Sequence, residues 1–468
     1  MHDKTPNNAA EELTRLRVDS DTLDIDAGGS LTIDGVAADT LLREFGSPLY
    51  VISETTLRRN IRDVFRAFGS RWPQPVNVMY AIKANNNLAV RAIVHAEGGG
   101  GDCFGAGELH ATFLAGADPA LIAMNGSLKS EQEIGAAFDR GVTINIDAED
   151  EIDKIAAAAR TRGVRARVNL RLKVTNDAFR TVGSDYFGVS EAEGLHDRMV
   201  ASKWGFSLDA AAALVRRMAG MPELHHAGFS WHVGRFSNHP EPIGILYRTL
   251  GEMVVALHAR TGYWPEILDI GGGIPRRREP ESRSGALNPL DLDGFAGIVC
   301  SALLRALETA GRPIPALWME PGRYIIGNAG VLLATVGTVK RDLGHVWVNL
   351  DASTNQLMRI ETSGSHYHVL PATGMRRPYE EEASVVGVTC IPSVFAASRQ
   401  LPILAPGDAV AMLDTGMYSE TASTQFNGLP RPATVLVNQG TAELIKLRET
   451  VEDVFRLHRI PDRLRSAG

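Results

Sequence analysis

From about residue 76 to residue 320 the chain repeats one unit: a short β-branched or apolar run that ends in Gly, Asn or a polar residue, then an Ala/Leu/Arg-rich stretch of helical period. Eight such runs occur: Val76–Ala84, Gly101–Gly105, Leu121–Gly126, Thr143–Asp147, Arg165–Leu172, His226–Val233, Ile267–Gly273 and Ala316–Gly322. Helical candidates lie around and between them, among them Leu57–Phe68, where Leu57, Ile61, Val64, Phe65 and Phe68 share a face, and Asp209–Met218. Eight strand–helix units predict parallel strands closed into a barrel. An open doubly wound sheet satisfies the same alternation, and the residues at the strand ends weigh against it.

After Gly330 the texture changes. The β-branched runs Val331–Val339, His345–Leu350, Ser384–Val388, Ala409–Leu413 and Ala433–Val437 alternate with Gly, Pro and Asn turns, the pattern of a mainly antiparallel β domain. Leu31–Gly35 and Leu49–Ile52 also read as strands and turns. The expected organisation is therefore an α/β plus β chain: an N-terminal arm over 1–52 that joins the β domain, a (β/α)₈ barrel over 53–322, and a C-terminal β domain over 323–468. The stretch Lys173–Trp204 is long, mixed in polarity and without period, which predicts a loop or lid between the fifth and sixth units.

Composition excludes several functions. A net charge of −7 offers no field for phosphate backbones, so no nucleic-acid partner is expected. The three cysteines, Cys103, Cys300 and Cys390, have no CxxC spacing, so neither a disulfide framework nor a metal site is indicated, and a reducing compartment fits best. Met1–Arg17 is polar, and no stretch approaches the ~20 apolar residues of a membrane span. A cytoplasmic protein with no membrane partner is expected.

In a barrel of this kind the residues just after each strand face the active site. The first run ends Tyr80-Ala81-Ile82-Lys83-Ala84-Asn85, a lysine at the end of an apolar segment. Desolvation lowers a lysine pKa and makes a Schiff-base amine, although such a lysine can also simply extend to water. The sixth run ends in His232, which can stack on a flat ring, transfer protons, or be a hydrogen-bonded core histidine. The seventh enters Gly271-Gly272-Gly273, whose amides can approach a phosphate or form only a turn. No GxGxxG or Walker pattern is present, so neither a dinucleotide nor a nucleoside triphosphate is favoured. The eighth ends Glu320-Pro321-Gly322-Arg323: a carboxylate that can keep a pyridine nitrogen protonated and an arginine for phosphate or carboxylate, or a structural pair. Lysine, histidine, glycines and carboxylate are four parts of one cofactor site.

With these residues the chain resembles the fold-type III decarboxylases that depend on pyridoxal 5'-phosphate (PLP), the group of diaminopimelate and ornithine decarboxylases, from about residue 45 to 456. The motifs are those above together with Gly105-Ala106-Gly107-Glu108-Leu109, His232-Val233-Gly234, Cys390, Asp414-Thr415-Gly416-Met417-Tyr418 and Arg431-Pro432-Ala433. The resemblance implies a PLP-binding barrel of the alanine-racemase kind, with Lys83 as the Schiff-base lysine, His232 over the ring and Glu320 at the pyridine nitrogen. Asp102 would lie beside the ring. Gly272, Gly273, Gly322, Arg323 and Tyr418 would hold the phosphate or nearby groups. It also implies a homodimer with shared sites, in which Cys390 crosses the interface and protonates the carbanion left by carbon dioxide. Arg323, Arg359, Tyr418 and Ile391 would meet substrate.

The pattern departs from diaminopimelate decarboxylases at the distal end of the substrate. There the cysteine is followed by an acid and, three residues later, a second acid; here the run is Cys390-Ile391-Pro392-Ser393-Val394. A distal ammonium would find no partner and be costly to bury. The tyrosine expected four residues after Arg359 is Ser363, and the serine expected after His-Val-Gly is Arg235, a candidate phosphate contact. Branches of the family that act on conjugated amino acids carry a similar Cys-x-Pro run, which points to a conjugated or carboxylated amino acid as substrate. Two other readings stay open: a PLP-dependent racemase or epimerase using Cys390 as second base, and a non-catalytic binder like the antizyme inhibitors. A pure binder has no need for a Schiff-base lysine.

Overall fold

A computed structural model describes residues 6–181, 195–234, 240–278 and 287–465. The chain divides into two compact units, one comprising Met1–Thr56 and Asn328–Gly468, the other Leu57–Glu279 and Leu287–Gly327.

The first unit opens with a helix, Ala9–Leu16, that the sequence reading passes over because it is short and polar. Asn8 caps it by accepting from the Glu11 N–H, and its apolar residues Ala9, Leu13 and Leu16 are buried. Three short strands follow, β1 (Leu23–Ile25), β2 (Leu31–Ile33) and β3 (Val36–Ala37), then β4 (Leu49–Ser53). All five residues of β4 are buried.

The second unit contains β5 (Val76–Ala81), β6 (Gly100–Phe104), β7 (Ile122–Asn125), β8 (Thr143–Ile146), β9 (Ala166–Arg171), β10 (Leu224–Ser230), β11 (Ile267–Asp269) and β12 (Ala316–Met319). These eight strands close into one parallel barrel, with β12 paired to β5 through Leu317↔Val76 and Met319↔Val78. Every residue of β7 and β8 is buried, as expected of parallel strands covered on both faces. The expected amphipathic helices are Glu54–Gly69, with Leu57, Ile61, Val64 and Phe68 fully buried, and Leu208–Ala219. The open-sheet alternative is excluded by the closure.

The remaining strands return to the first unit: β13 (Gly330–Asp342), β14 (His345–Leu350), β15 (Val369–Pro371), β16 (Glu381–Val386), β17 (Val394–Leu401), β18 (Ala409–Leu413), β19 (Ala433–Asn438) and β20 (Thr441–Lys446). They form a nine-stranded sheet with path β17-β16-β14-β13-β4-β19-β20, in which β18 pairs with β13 and β15. It is mainly antiparallel; β4–β19 and β14–β16 are its parallel pairs. Leu13, Leu16, Leu31 and Ile33 share one apolar cluster with Val51, Val331, Leu413 and Val435, so the N-terminal arm is part of this core. Leu13→Ala should therefore destabilise this unit by ~2–5 kcal/mol, read as a lower midpoint in chemical unfolding.

Candidate active site

Parallel strands of one barrel all deliver their C-terminal residues to the same end, and this brings together side chains far apart in sequence. Strand β5 stops at Ala81, earlier than the sequence run suggests, and Lys83 sits in the single 3-10 turn Ile82–Ala84 that follows. That turn leaves the Lys83 side chain 39% exposed, while its Nζ lies 2.6 Å from Oδ2 of Asp102, which is fully buried. Phe104, two residues beyond Asp102, places its ring centroid 5.0 Å from the same Nζ.

Asp102 and Glu320 are joined by a residue that sequence reasoning missed. Asn125, last residue of β7, donates through Nδ2 to Asp102 Oδ1 at 2.7 Å and to Glu320 Oε1 at 2.7 Å. Its own Oδ1 accepts from Asn145 Nδ2 at 3.0 Å, and Asn145 Oδ1 accepts from Asn169 Nδ2 at 3.0 Å, a ladder across β7, β8 and β9. No motif marks these asparagines, but each interrupts an apolar strand, and the register pairs Asn145 with Asn169. A polar residue at one height in successive strands is the signal that could have revealed them.

Burial pushes the Glu320 carboxyl well above the ordinary range, and the charges of Asp102 and Asp269 add to the effect. Asp269, at the end of β11, is raised to about 7, again chiefly by burial. Its Oδ1 accepts from the Gly271 N–H at 2.9 Å, and its carboxyl lies within hydrogen-bonding reach of the Glu320 carboxyl. Asp269 is thus a second group that the sequence reading left aside, as is Glu108, whose carboxylate accepts from the Phe104 N–H at 2.7 Å.

The glycine turn lies against the end of β12. A Cβ at Gly272 would stand 2.2 Å from the Glu320 carbonyl oxygen, so no other residue lets the chain pass there. The Gly272 N–H donates to His232 Nδ1 at 3.1 Å. A ring nitrogen that accepts has no proton, so the neutral imidazole carries its hydrogen on Nε2. Burial, helped by the nearby Lys83 and Arg171 charges, pushes the His232 pKa down to about 3. Gly273 follows with φ of +88°. Gly322 packs on the lysine turn, where a Cβ would meet that of Ala84 at 2.8 Å. Arg323 is buried at the start of the helix Arg323–Ile326. Arg235 lies outside the described residues.

The remaining candidates belong to the other unit. Arg359 opens the helix Arg359–Ser363, and its guanidinium carbon stands 5.3 Å from the ring centroid of Tyr418, a residue held at φ of +53°. Cys390 is exposed on the loop Gly387–Ser393, which is closed by the Gly387 N–H to the Ser393 carbonyl at 2.9 Å and tethered by the Cys390 N–H to Asn427 Oδ1 at 3.1 Å. Ile391 is half-buried, and Ser393 is buried with its hydroxyl 2.6 Å from that of Thr389 and 3.0 Å from that of Thr354.

The barrel end therefore offers an amine beside a carboxylate, a buried carboxyl that readily holds a proton, a neutral histidine and a close-approach glycine turn. Among the described residues no helix is long and apolar enough to cross a membrane.

The chain as a whole is similar to known proteins. The sequence model of a family described as "Pyridoxal-dependent decarboxylase, pyridoxal binding domain" matches residues 56–327. Diaminopimelate decarboxylase of Methanothermobacter thermautotrophicus is 34% identical over 447 residues, 94% of this chain and 98% of that one. The enzyme of the same name from Archaeoglobus fulgidus is 32% identical, covering 93% and 98%. A crystal structure of diaminopimelate decarboxylase from M. jannaschii in complex with L-lysine superposes with a TM-score of 0.87 at 26% identity, covering 96% of this chain and 100% of that one.

The His232 geometry has a measurable consequence. Between the ordinary histidine value of 6.5 and about 3 the unfolded chain binds a proton at this position that the native chain does not. Its contribution to stability therefore falls as pH is lowered through that window. His232→Gln should flatten the pH dependence of the unfolding free energy there, by at most ~1.4 kcal/mol per pH unit.

Proposed function

The chain belongs to the family of pyridoxal-dependent decarboxylases, and on that premise we propose how its residues divide the work and what kind of substrate they take. It is a PLP-dependent carboxy-lyase that acts on an amino acid, similar to diaminopimelate decarboxylase. The observation that carries the assignment of roles is the network Lys83–Asp102–Asn125–Glu320 at the barrel end.

The residues fit the cofactor. When bound, PLP supplies an aldehyde that an amine can hold and a ring that draws away the electron pair left as carbon dioxide departs. Lys83 holds the cofactor, and Asp102 keeps the lysine nitrogen in place when it is charged. Glu320, whose burial favours a shared proton, holds that proton at the pyridine nitrogen, and Asn125 keeps the Glu320 carboxyl oriented. His232, a neutral imidazole with a hydrogen on Nε2, would cover the ring. Gly272, Gly273 and Gly322 would bring backbone close to the phosphate, with Arg323 as a further contact. Orienting the α-carboxylate and excluding water around it lowers the barrier to carbon dioxide loss. Cys390 would be the donor of the proton that Cα takes up.

Cys390 acts in the site of a second copy of the chain, in a homodimer with two shared sites. The exposure of its loop supports this reading, as do the exposed apolar side chains Leu447, Val451, Phe455, Leu457 and Ile460 in the C-terminal segment.

The substrate carries no free distal ammonium. Both positions that would neutralise one are uncharged: Ile391 is half-buried, and Val394, three residues further on, is a half-buried apolar residue at the start of β17. Arg359 is a candidate anchor for a distal carboxylate, so a conjugated or carboxylated amino acid is the favoured class.

Absorbance of wild type and Lys83→Ala, followed by a labelled carbon dioxide release screen, tests both levels. Lys83→Ala should lose the band of covalently held cofactor. Acyl or citryl conjugates of diamino acids should exceed diaminopimelate in kcat/KM by ~10–100-fold. Efficient turnover of diaminopimelate would falsify the altered-pocket reading while leaving the decarboxylase intact. Cys390→Ala should slow turnover by ~10²-fold or more.

A further inference from the structure

The excursion that begins after β9 has no part in the reaction described so far, yet it leaves and returns at the same point. The Lys173 N–H donates to the Phe206 carbonyl at 2.8 Å and the Phe206 N–H to the Arg171 carbonyl at 2.9 Å, while Leu172 and Phe206 form a parallel bridge. Lys173 Nζ adds a clamp on the Ser202 carbonyl at 2.6 Å. Gly205 has φ of +73°, and a Cβ there would stand 2.5 Å from the Leu172 carbonyl oxygen, so the return is closed tightly against the strand.

This closure delivers Trp204 to one place. Its ring lies 4.5 Å from the guanidinium carbon of Arg171. Arg171 is itself buried and bound to Asp147 at 3.2 Å. On another side Trp204 meets Phe104 edge to face, with ring centroids 6.2 Å apart and planes at 90°. Phe104 is the ring whose centroid is 5.0 Å from Lys83 Nζ. Together these contacts run from a buried ion pair to the reactive amine.

We propose that Trp204 is a positioning residue for Lys83: braced by Arg171, it holds the Phe104 ring against Lys83 Nζ and so sets the pH at which that amine becomes free to react. A ring face stabilises an ammonium, and it does so only while the ring is held in place. Asp102 from β6, Glu108 from the helix Gly105–Leu114, Glu320 after β12 and His232 after β10 also interact with the lysine. Among these influences, the Phe104 contact is the one that Trp204 controls. The inference rests on Lys83 being the cofactor lysine.

The test is the rate at which full-length protein stripped of cofactor captures added pyridoxal 5'-phosphate, followed by absorbance across a pH series. In Trp204→Leu the ammonium loses its ring, so the midpoint of the capture profile should move about half a pH unit lower. Trp204→Phe, which keeps an aromatic edge, should restore the wild-type midpoint. Phe104→Leu should reproduce the shift, and the double variant should add nothing to it. An unchanged midpoint in Trp204→Leu, or additive shifts in the double variant, overturns the proposal. If Trp204→Leu does not fold, Arg171→Lys, which keeps the charge and loses the planar stack, is read with the same two outcomes. Capture that persists in Lys83→Ala overturns the assignment of the lysine itself, a result distinct from failure at Trp204.

Discussion

Three carboxyl groups, Asp102, Asp269 and Glu320, are buried at the end of one barrel, and the architecture around them is a response to that cost. An isolated buried carboxylate is expensive, so such groups stand only where charge or hydrogen bonds compensate them. Here Lys83 neutralises Asp102, one amide nitrogen of Asn125 serves both Asp102 and Glu320, and the backbone of the glycine turn serves Asp269. What remains uncompensated shows as raised proton affinity at Asp269 and Glu320. A site built in this way readily holds a proton that a bound pyridine ring can use.

The same arrangement explains the environment of the other site residues. His232 stays neutral because it is enclosed near the cations Lys83 and Arg171, and its tautomer is set by the Gly272 amide. The glycines serve packing and chemistry together: the close approach of the glycine turn to the Glu320 backbone is what brings the sixth, seventh and eighth strand ends into one surface. Further out, the buried pairs Asp147–Arg171 and Glu151–Lys129 occupy the ends of β8 and β9 and the loop after β7. They give that side of the barrel a rigid charged frame, and Arg171 projects from it onto Trp204.

The candidate residues of the other unit have a different character. Its candidates lie on loops and a short helix between strands of a mainly antiparallel sheet, where backbone conformations such as the positive φ of Ser393, Asp414 and Tyr418 are imposed by tight turns. Loops of this kind tolerate sequence change while the sheet beneath them persists. It is accordingly there, around Cys390, that the proposed change in the distal substrate pocket lies.

The sequence by itself determined eight strand–helix units, because apolar runs alternating with helical stretches bury both faces of a parallel sheet; the pairing of β12 with β5 decided that this sheet closes into a barrel. The sequence also determined the motif residues Lys83, His232, Gly271–Gly273 and Glu320, because each is an anomaly at the end of an apolar run, where side chains must face the same opening. Only the tertiary structure decided how these residues are connected. Asn125, Asn145 and Asn169 are ordinary asparagines until strand register sets them side by side, and Asp269 reads as a turn residue until its carboxyl is seen to be buried. Trp204 stood at the edge of a stretch without period, and its place against Arg171 and Phe104 depends on backbone hydrogen bonds that return the chain to its starting point. Periodicity encodes which residues are buried, whereas contacts between strands far apart in sequence depend on closure and register, which emerge when the whole barrel has formed.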